Sequence, residues 1–148
     1  FSPPEFGDMK VTPIPMLHGT VKTTGWLFSV TGKDKKIHSI AYLTDCSRIK
    51  GQSIKKILRN CGTLDHLVID GLRKDPHETH FSFLQAMAVA EKLSPTHTWF
   101  IHICHLNSHV QIQEYIETHL KEFPVLEKIV KDGGSVAPGF DGLTIKTL

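Results

Sequence analysis

The sequence predicts a single α/β layered domain, and three observations predict it. The chain has 148 residues, which at roughly 150 per domain is one core. Its composition, 40% hydrophobic and 22% charged, is that of an ordinary globular protein and excludes disordered, collagen-like and mucin-like classes. Short β-branched or aromatic runs alternate with amphipathic segments along the whole length, with no internal repeat, low-complexity stretch or linker.

The elements follow in order. Met9 to Leu17 carries Val11, Ile14 and Leu17 among prolines at 13 and 15 and predicts an irregular or edge strand. Gly25 to Val30 predicts a second strand, the polar GKDKK at 32–36 a turn, and Ile37 to Leu43 the returning strand of a hairpin. Ser53 to Asn60 places Ile54, Ile57 and Leu58 at i, i+3, i+4 behind a Ser cap and predicts a short helix, with Gly62 beyond its end. His66 to Asp70 is of strand length. Thr79 to Leu93 predicts a long helix with Phe83, Leu84, Met87, Ala90 and Leu93 on one face. Thr98 to Ile103 predicts a buried strand, Val110 to Leu120 and Val125 to Lys131 helices around Pro124, and Val136 to Ile145 a loop followed by a terminal strand.

Charge and cysteine use narrow the class of function. A formal net charge of +2 builds no field for nucleic acid or anionic lipid. No apolar stretch approaches the roughly 18 residues of a membrane span. Cys46, Cys61 and Cys104 are scattered, which fits neither a disulfide framework nor a CxxC pair and predicts a reducing compartment such as the cytoplasm. Histidine stands out: six of the ten lie between positions 77 and 109. Predicted strands end in His18, Asp45, Asp70 and His102, and ligands delivered from several strand ends to one sheet edge suit a borderline ion such as zinc or manganese. Taken one at a time these signals are weak, since a lone histidine on a strand is more often packed or hydrogen-bonded than a ligand. Cys46, with no histidine–asparagine pair around it, reads as a packed thiol rather than a nucleophile.

In sequence order the chain carries MLHG, GW five residues later, AYLTD, LVIDGL, PHETHFSF, FIHICH and PGFDG. This series resembles the C-terminal half of the metallo-β-lactamase-fold hydrolases, and within them the phosphodiesterases of phosphonate degradation that open cyclic phosphoribosyl phosphates. The resemblance runs from about Met9 to Ile145 and includes the 22-residue interval between His80 and His102. It implies half of an αβ/βα sandwich, a mixed sheet with flanking helices, and a centre of two divalent metal ions, zinc or manganese. On that resemblance His18 is a ligand of one ion, Asp45 bridges both, and His102 binds the second. His80 is a non-ligand histidine near the scissile phosphate, the catalytic acid or transition-state stabiliser, here expected at the start of the long helix where the dipole favours an anion. Asp70, His77 and His105 are expected around the ligands rather than among them.

The family's N-terminal HxHxDH motif occurs nowhere in the sequence. The chain therefore reads as the C-terminal portion of a longer protein, inactive alone, and its bare sheet face is expected to associate with the missing half or with a second copy. The expected substrate is a small or cyclic phosphodiester. Two other classes stay open: a relative of the tRNA 3′-end-processing endonucleases, disfavoured by the small net charge, and a non-catalytic interaction module that kept the scaffold.

Overall fold

The computed structural model describes residues 7–146. Its sheet has six strands in sequential order: β1 (Lys10–His18), β2 (Val21–Thr31), β3 (Ile37–Leu43), β4 (Thr63–Asp70), β5 (His97–Ile101) and β6 (Ser135–Pro138). The first three form an antiparallel meander, and β3 to β6 run parallel. Helix α1 (Gly51–Asn60) crosses from β3 to β4, α2 (Phe83–Leu93) from β4 to β5, and α3 (His109–His119) with α4 (Pro124–Lys131) from β5 to β6. Right-handed crossovers that always step in the same direction put every helix on one face. The buried core agrees, since its strand members Ile14, Met16, Leu27, Ala41, Leu43, Leu67, Ile69, Phe100 and Val136 sit on alternate positions beneath the helices.

Pro13 and Pro15 occupy exposed positions of β1, the sheet edge, where a missing N–H breaks no ladder. The two-residue turn from His18 to Val21 begins with Gly19 at φ 62°, the left-handed backbone that tight hairpins require. Gly62, at φ 60°, follows α1, and a Cβ there would press on the Ile37 carbonyl 2.5 Å away.

The opposite face carries no helix among the described residues. Two cross-strand rows run over it, Trp26–Tyr42–Val68–Trp99 and Phe28–Ile40–His66–His97. His66 stacks on His97 at 5.1 Å and accepts the Trp99 indole N–H at 3.1 Å, so these two histidines pack against the sheet's aromatic row. This half-covered mixed sheet is the expected αβ half of the sandwich.

Several elements depart from expectation. Helix α1 begins at Gly51 with Lys50 at its cap position, and Ser53, expected as the cap, lies inside the helix and donates its hydroxyl to the Pro15 carbonyl at 2.6 Å. The long helix begins at Phe83 rather than Thr79, because Ser82 and Gln85 form a capping box that stops it there. The last strand comes first and the loop after it: Ser135–Pro138 pairs with β5, and residues 139–146 form turns and irregular chain. Strand β5 ends at Ile101, so His102 lies just past it.

Candidate functional site

Strand β1 runs antiparallel to β2 and β2 to β3, so β1 points the same way as the parallel strands. The chain leaves β1, β3, β4 and β5 at one edge, the position where open sheets with helical crossovers place their ligands. His18, Asp45, Asp70 and His102 all emerge there. His80 reaches them from the loop between β4 and α2.

That loop is tied down on both sides. Phe81 N–H donates to the Cys46 carbonyl at 3.1 Å and Leu72 N–H to the Phe81 carbonyl at 2.9 Å. The loops after β1 and β3 are clipped together by Ser47 N–H to the Leu17 carbonyl at 2.8 Å and Gly19 N–H to Ser47 Oγ at 3.0 Å. The side chains therefore project from a rigid frame.

Asp70 is the centre of the arrangement. Its carboxylate is fully buried. Oδ2 accepts from His80 Nδ1–H at 2.7 Å and Cys46 N–H at 3.1 Å, and Oδ1 accepts from Asp45 N–H at 3.2 Å and Thr44 Oγ1–H at 3.4 Å. Both oxygens are thus occupied by donors. The two backbone bonds grip Asp45, which holds φ 55°, a left-handed conformation costly for a residue with a side chain. His102 shares that strain at φ 62°, with Nδ1 3.5 Å from Asp70 Oδ1 and 3.7 Å from Asp45 Oδ1.

With its Nδ1 proton committed to Asp70, neutral His80 turns an Nε2 lone pair to the cleft. There it meets His18 Nε2 at 3.2 Å. Either His18 donates into that lone pair or both lone pairs face one cation. The His80 ring also lies 4.5 Å from that of His102 and 5.5 Å from that of His77. Two groups offer ligand atoms within 4.8 Å of one another, His18–Asp45–His80 and Asp70–His80–His102. Imidazole nitrogen and carboxylate oxygen in this proportion, with the Asp45 carboxylate exposed to the cleft, fit a borderline divalent ion.

Of the residues singled out in the sequence, the structure brings His18, Asp45, Asp70, His80 and His102 together. His80 does not start a helix: it lies two residues before the Ser82 cap, so the expected help from the α2 dipole gives way to the Asp70 carboxylate. His77 stands alongside, its Nδ1 accepting from Thr79 N–H at 3.3 Å. His105 lies exposed in the turn after β5, in neither group. His109 donates from Nε2 to the Pro138 carbonyl at 3.1 Å and packs edge-on against Phe140, away from the cluster. Burial together with the charges of Asp70 and Asp45 pushes the Cys46 thiol far above its ordinary range, which keeps it protonated and inert. Thr44, whose hydroxyl donates to Asp70 Oδ1, was not singled out in the sequence. The polar run TDCSR after an apolar strand is the signal that could have marked it.

The family model described as a beta-lactamase superfamily domain matches residues 2–103, and the chain belongs to the metallo-β-lactamase superfamily. Among solved structures it is similar to a diphosphatase of the PhnP family, with 29% identity and TM-score 0.68 over 94% of this chain and 44% of that one. It also resembles the metallo-β-lactamase-fold protein YhfI from Bacillus subtilis, with 17% identity and TM-score 0.63 over 93% of this chain and 48% of that one. A third likeness is to the metallo hydrolase Igni18 from Ignicoccus hospitalis, with 13% identity and TM-score 0.62 over 100% of this chain and 56% of that one. The chain thus spans about half the length of the structures it matches. No curated protein matches it. Among the described residues no helix is long and apolar enough to cross a membrane.

Proposed function

We propose that this chain supplies one half of the catalytic centre of a metal-dependent phosphodiesterase acting on a small or cyclic phosphodiester, the rest coming from an N-terminal half. The observation that carries the reading is the Asp70–His80–His18 line at the sheet edge, flanked by Asp45 and His102. The likeness to a PhnP-family diphosphatase favours a bond to phosphorus over other hydrolase chemistry.

His18 and Asp45 would hold one divalent ion and Asp45 and His102 a second, zinc or manganese. Bound there, such ions polarise the phosphoryl oxygens and bring water to its hydroxide form near neutral pH. Asp70 is a positioning residue. It fixes the His80 ring and tautomer through the 2.7 Å bond. A proton carried on His80 Nε2 can pass to the departing oxygen, while Nδ1–H stays on Asp70 and the ring ends neutral. Three protein donors are too few to close two ion shells, which is why the reading includes an N-terminal half. The open face with Trp26, Tyr42 and Trp99 is the surface that half would cover.

The test uses the protein with its full natural chain. Bis(p-nitrophenyl) phosphate should be hydrolysed, a chelator should abolish turnover, and zinc or manganese should restore it. His80→Ala should keep the metal content and lower turnover by a factor on the order of 100 to 10,000. Loss of metal in that variant would make His80 a ligand, and chelator-resistant turnover would refute the metal-dependent reading altogether.

A further inference from the structure

His102 has two ring nitrogens, and in the neutral ring only one of them can meet an ion. The contacts around Nδ1 decide which. Thr44 Oγ1 lies 3.5 Å from it, Asp70 Oδ1 3.5 Å and Asp45 Oδ1 3.7 Å, so its neighbours are oxygens and two of them belong to carboxylates. A carboxylate only accepts. Nδ1 therefore carries the proton, and Nε2 keeps the lone pair as the ring's ligand atom.

The three oxygens are not equal partners for that N–H. Asp70 Oδ1 already accepts from Asp45 N–H at 3.2 Å and from Thr44 Oγ1–H at 3.4 Å, which uses both of its lone pairs. Asp45 Oδ1 is beyond hydrogen-bond reach, and its carboxylate is assigned to the two ions. Thr44 differs: with its one proton turned to Asp70, its oxygen still has a lone pair to receive His102 Nδ1–H. At 3.5 Å this bond is long, which makes it a guide to the ring rather than a large source of stability. His102 needs a guide, because it lies past the end of β5 with 39% of its side chain exposed. Its other restraint is the His80 ring, 4.5 Å away and tilted by 30°, and stacking of that kind does not select which edge points inward.

We propose that Thr44 is a positioning residue of the metal centre: its hydroxyl links Asp70 to His102, fixes the Nδ1–H tautomer and so reserves Nε2 for the second ion. One buried carboxylate then orders two imidazoles, His80 directly and His102 through Thr44. This inference rests on the proposed assignment of His102 to an ion and deepens it.

Two variants of the full-length protein test it: Thr44→Val keeps the shape and loses the hydroxyl, whereas Thr44→Ser keeps the hydroxyl. The first measurement is zinc affinity, by competition with a chromophoric chelator, with His102→Ala identifying the binding step that depends on His102. In Thr44→Val that step should weaken by about 10–100-fold while the other stays within about threefold, and Thr44→Ser should recover most of the loss. The second measurement needs no ion. Nitrogen–proton correlation NMR of the imidazoles in the metal-stripped protein, at a pH where the rings are neutral, reads the tautomer of His102 directly. It should be Nδ1–H in the parent and in Thr44→Ser, and should move in Thr44→Val toward Nε2–H, the tautomer free histidine favours in water. An Nε2–H tautomer in the parent overturns the proposal even if neither variant folds. Unchanged affinity in Thr44→Val, equal weakening of both steps, or a loss that Thr44→Ser does not recover also overturns it, because the hydroxyl then does not act through His102. A parent that binds no zinc or manganese counts against the metal reading alone, because the tautomers still decide whether Thr44 orders His102.

Discussion

Replacing Asp70 by Asn keeps the shape of the side chain and removes half of its acceptors. The carboxylate has donors on both oxygens: His80 Nδ1–H and Cys46 N–H on one, Asp45 N–H and Thr44 Oγ1–H on the other. An amide can keep one oxygen. Its best orientation leaves that oxygen toward His80 and Cys46 and puts the NH2 toward Thr44, whose hydroxyl can turn and accept. The Asp45 N–H then faces another donor. Stranding one such group costs about 1–3 kcal/mol, and the remaining bonds lose their charge assistance, worth roughly 1 kcal/mol more. Asp45 also loses the clamp that holds it at φ 55°. The total is about 2–4 kcal/mol. With a urea m-value near 2 kcal/mol/M the unfolding midpoint should fall by about 1–2 M. A midpoint within about 0.2 M of the parent's would refute the role of Asp70 as the centre of the network.

Three further outcomes follow from packing and titration. Phe83 is fully buried and lies parallel to Phe100 with centroids 5.9 Å apart, so Phe83→Ala should cost about 3–5 kcal/mol and lower Tm by about 6–20 °C in calorimetry. The Asp65 carboxylate, 3.0 Å from His38 Nδ1, holds the His38 pKa above its ordinary 6.5, with Asp34 adding to the effect. That stabilisation is whole below pH 6.5 and is lost as the pH rises through the folded value, so unfolding midpoints should decline over that interval in the parent and not in His38→Gln. Burial, with neighbouring His66, holds His97 below its ordinary 6.5, so its contribution is whole above pH 6.5 and lost as the pH falls through the folded value. His97→Gln should accordingly lose less stability on acidification than the parent does, as measured by urea unfolding at pH 7 and pH 5.

The elements legible in the sequence were those whose period shows in a local window. Ile54, Ile57 and Leu58 marked α1, and the β-branched run Ile37 to Leu43 marked β3. The start of α2 was misread because Thr79 and Ser82 both look like caps. Only the reciprocal bonds between Ser82 and Gln85 decide between them, although the Ser-x-x-Gln spacing was there to be seen. Strand β6 has four residues and exists through parallel pairing with β5, a contact from 38 residues earlier that no local pattern encodes. The cluster was legible as a set of strand ends, but its internal order was not. Asp70 became its centre only when folding aimed the N–H groups of residues 45 and 46 at it, and the buried His38–Asp65 pair, 27 residues apart, escaped for the same reason. The left-handed backbone of Asp45 likewise depends on those non-local bonds.

Metal binding at the sheet edge underlies the whole of the proposed chemistry. Elemental analysis of the full-length protein beside Asp45→Ala tests it, since Asp45 is assigned to both ions. The parent should carry about two zinc or manganese ions per chain and the variant should lose most of both. Metal content unchanged by Asp45→Ala, or a parent purified and reconstituted without any bound divalent ion, would contradict it.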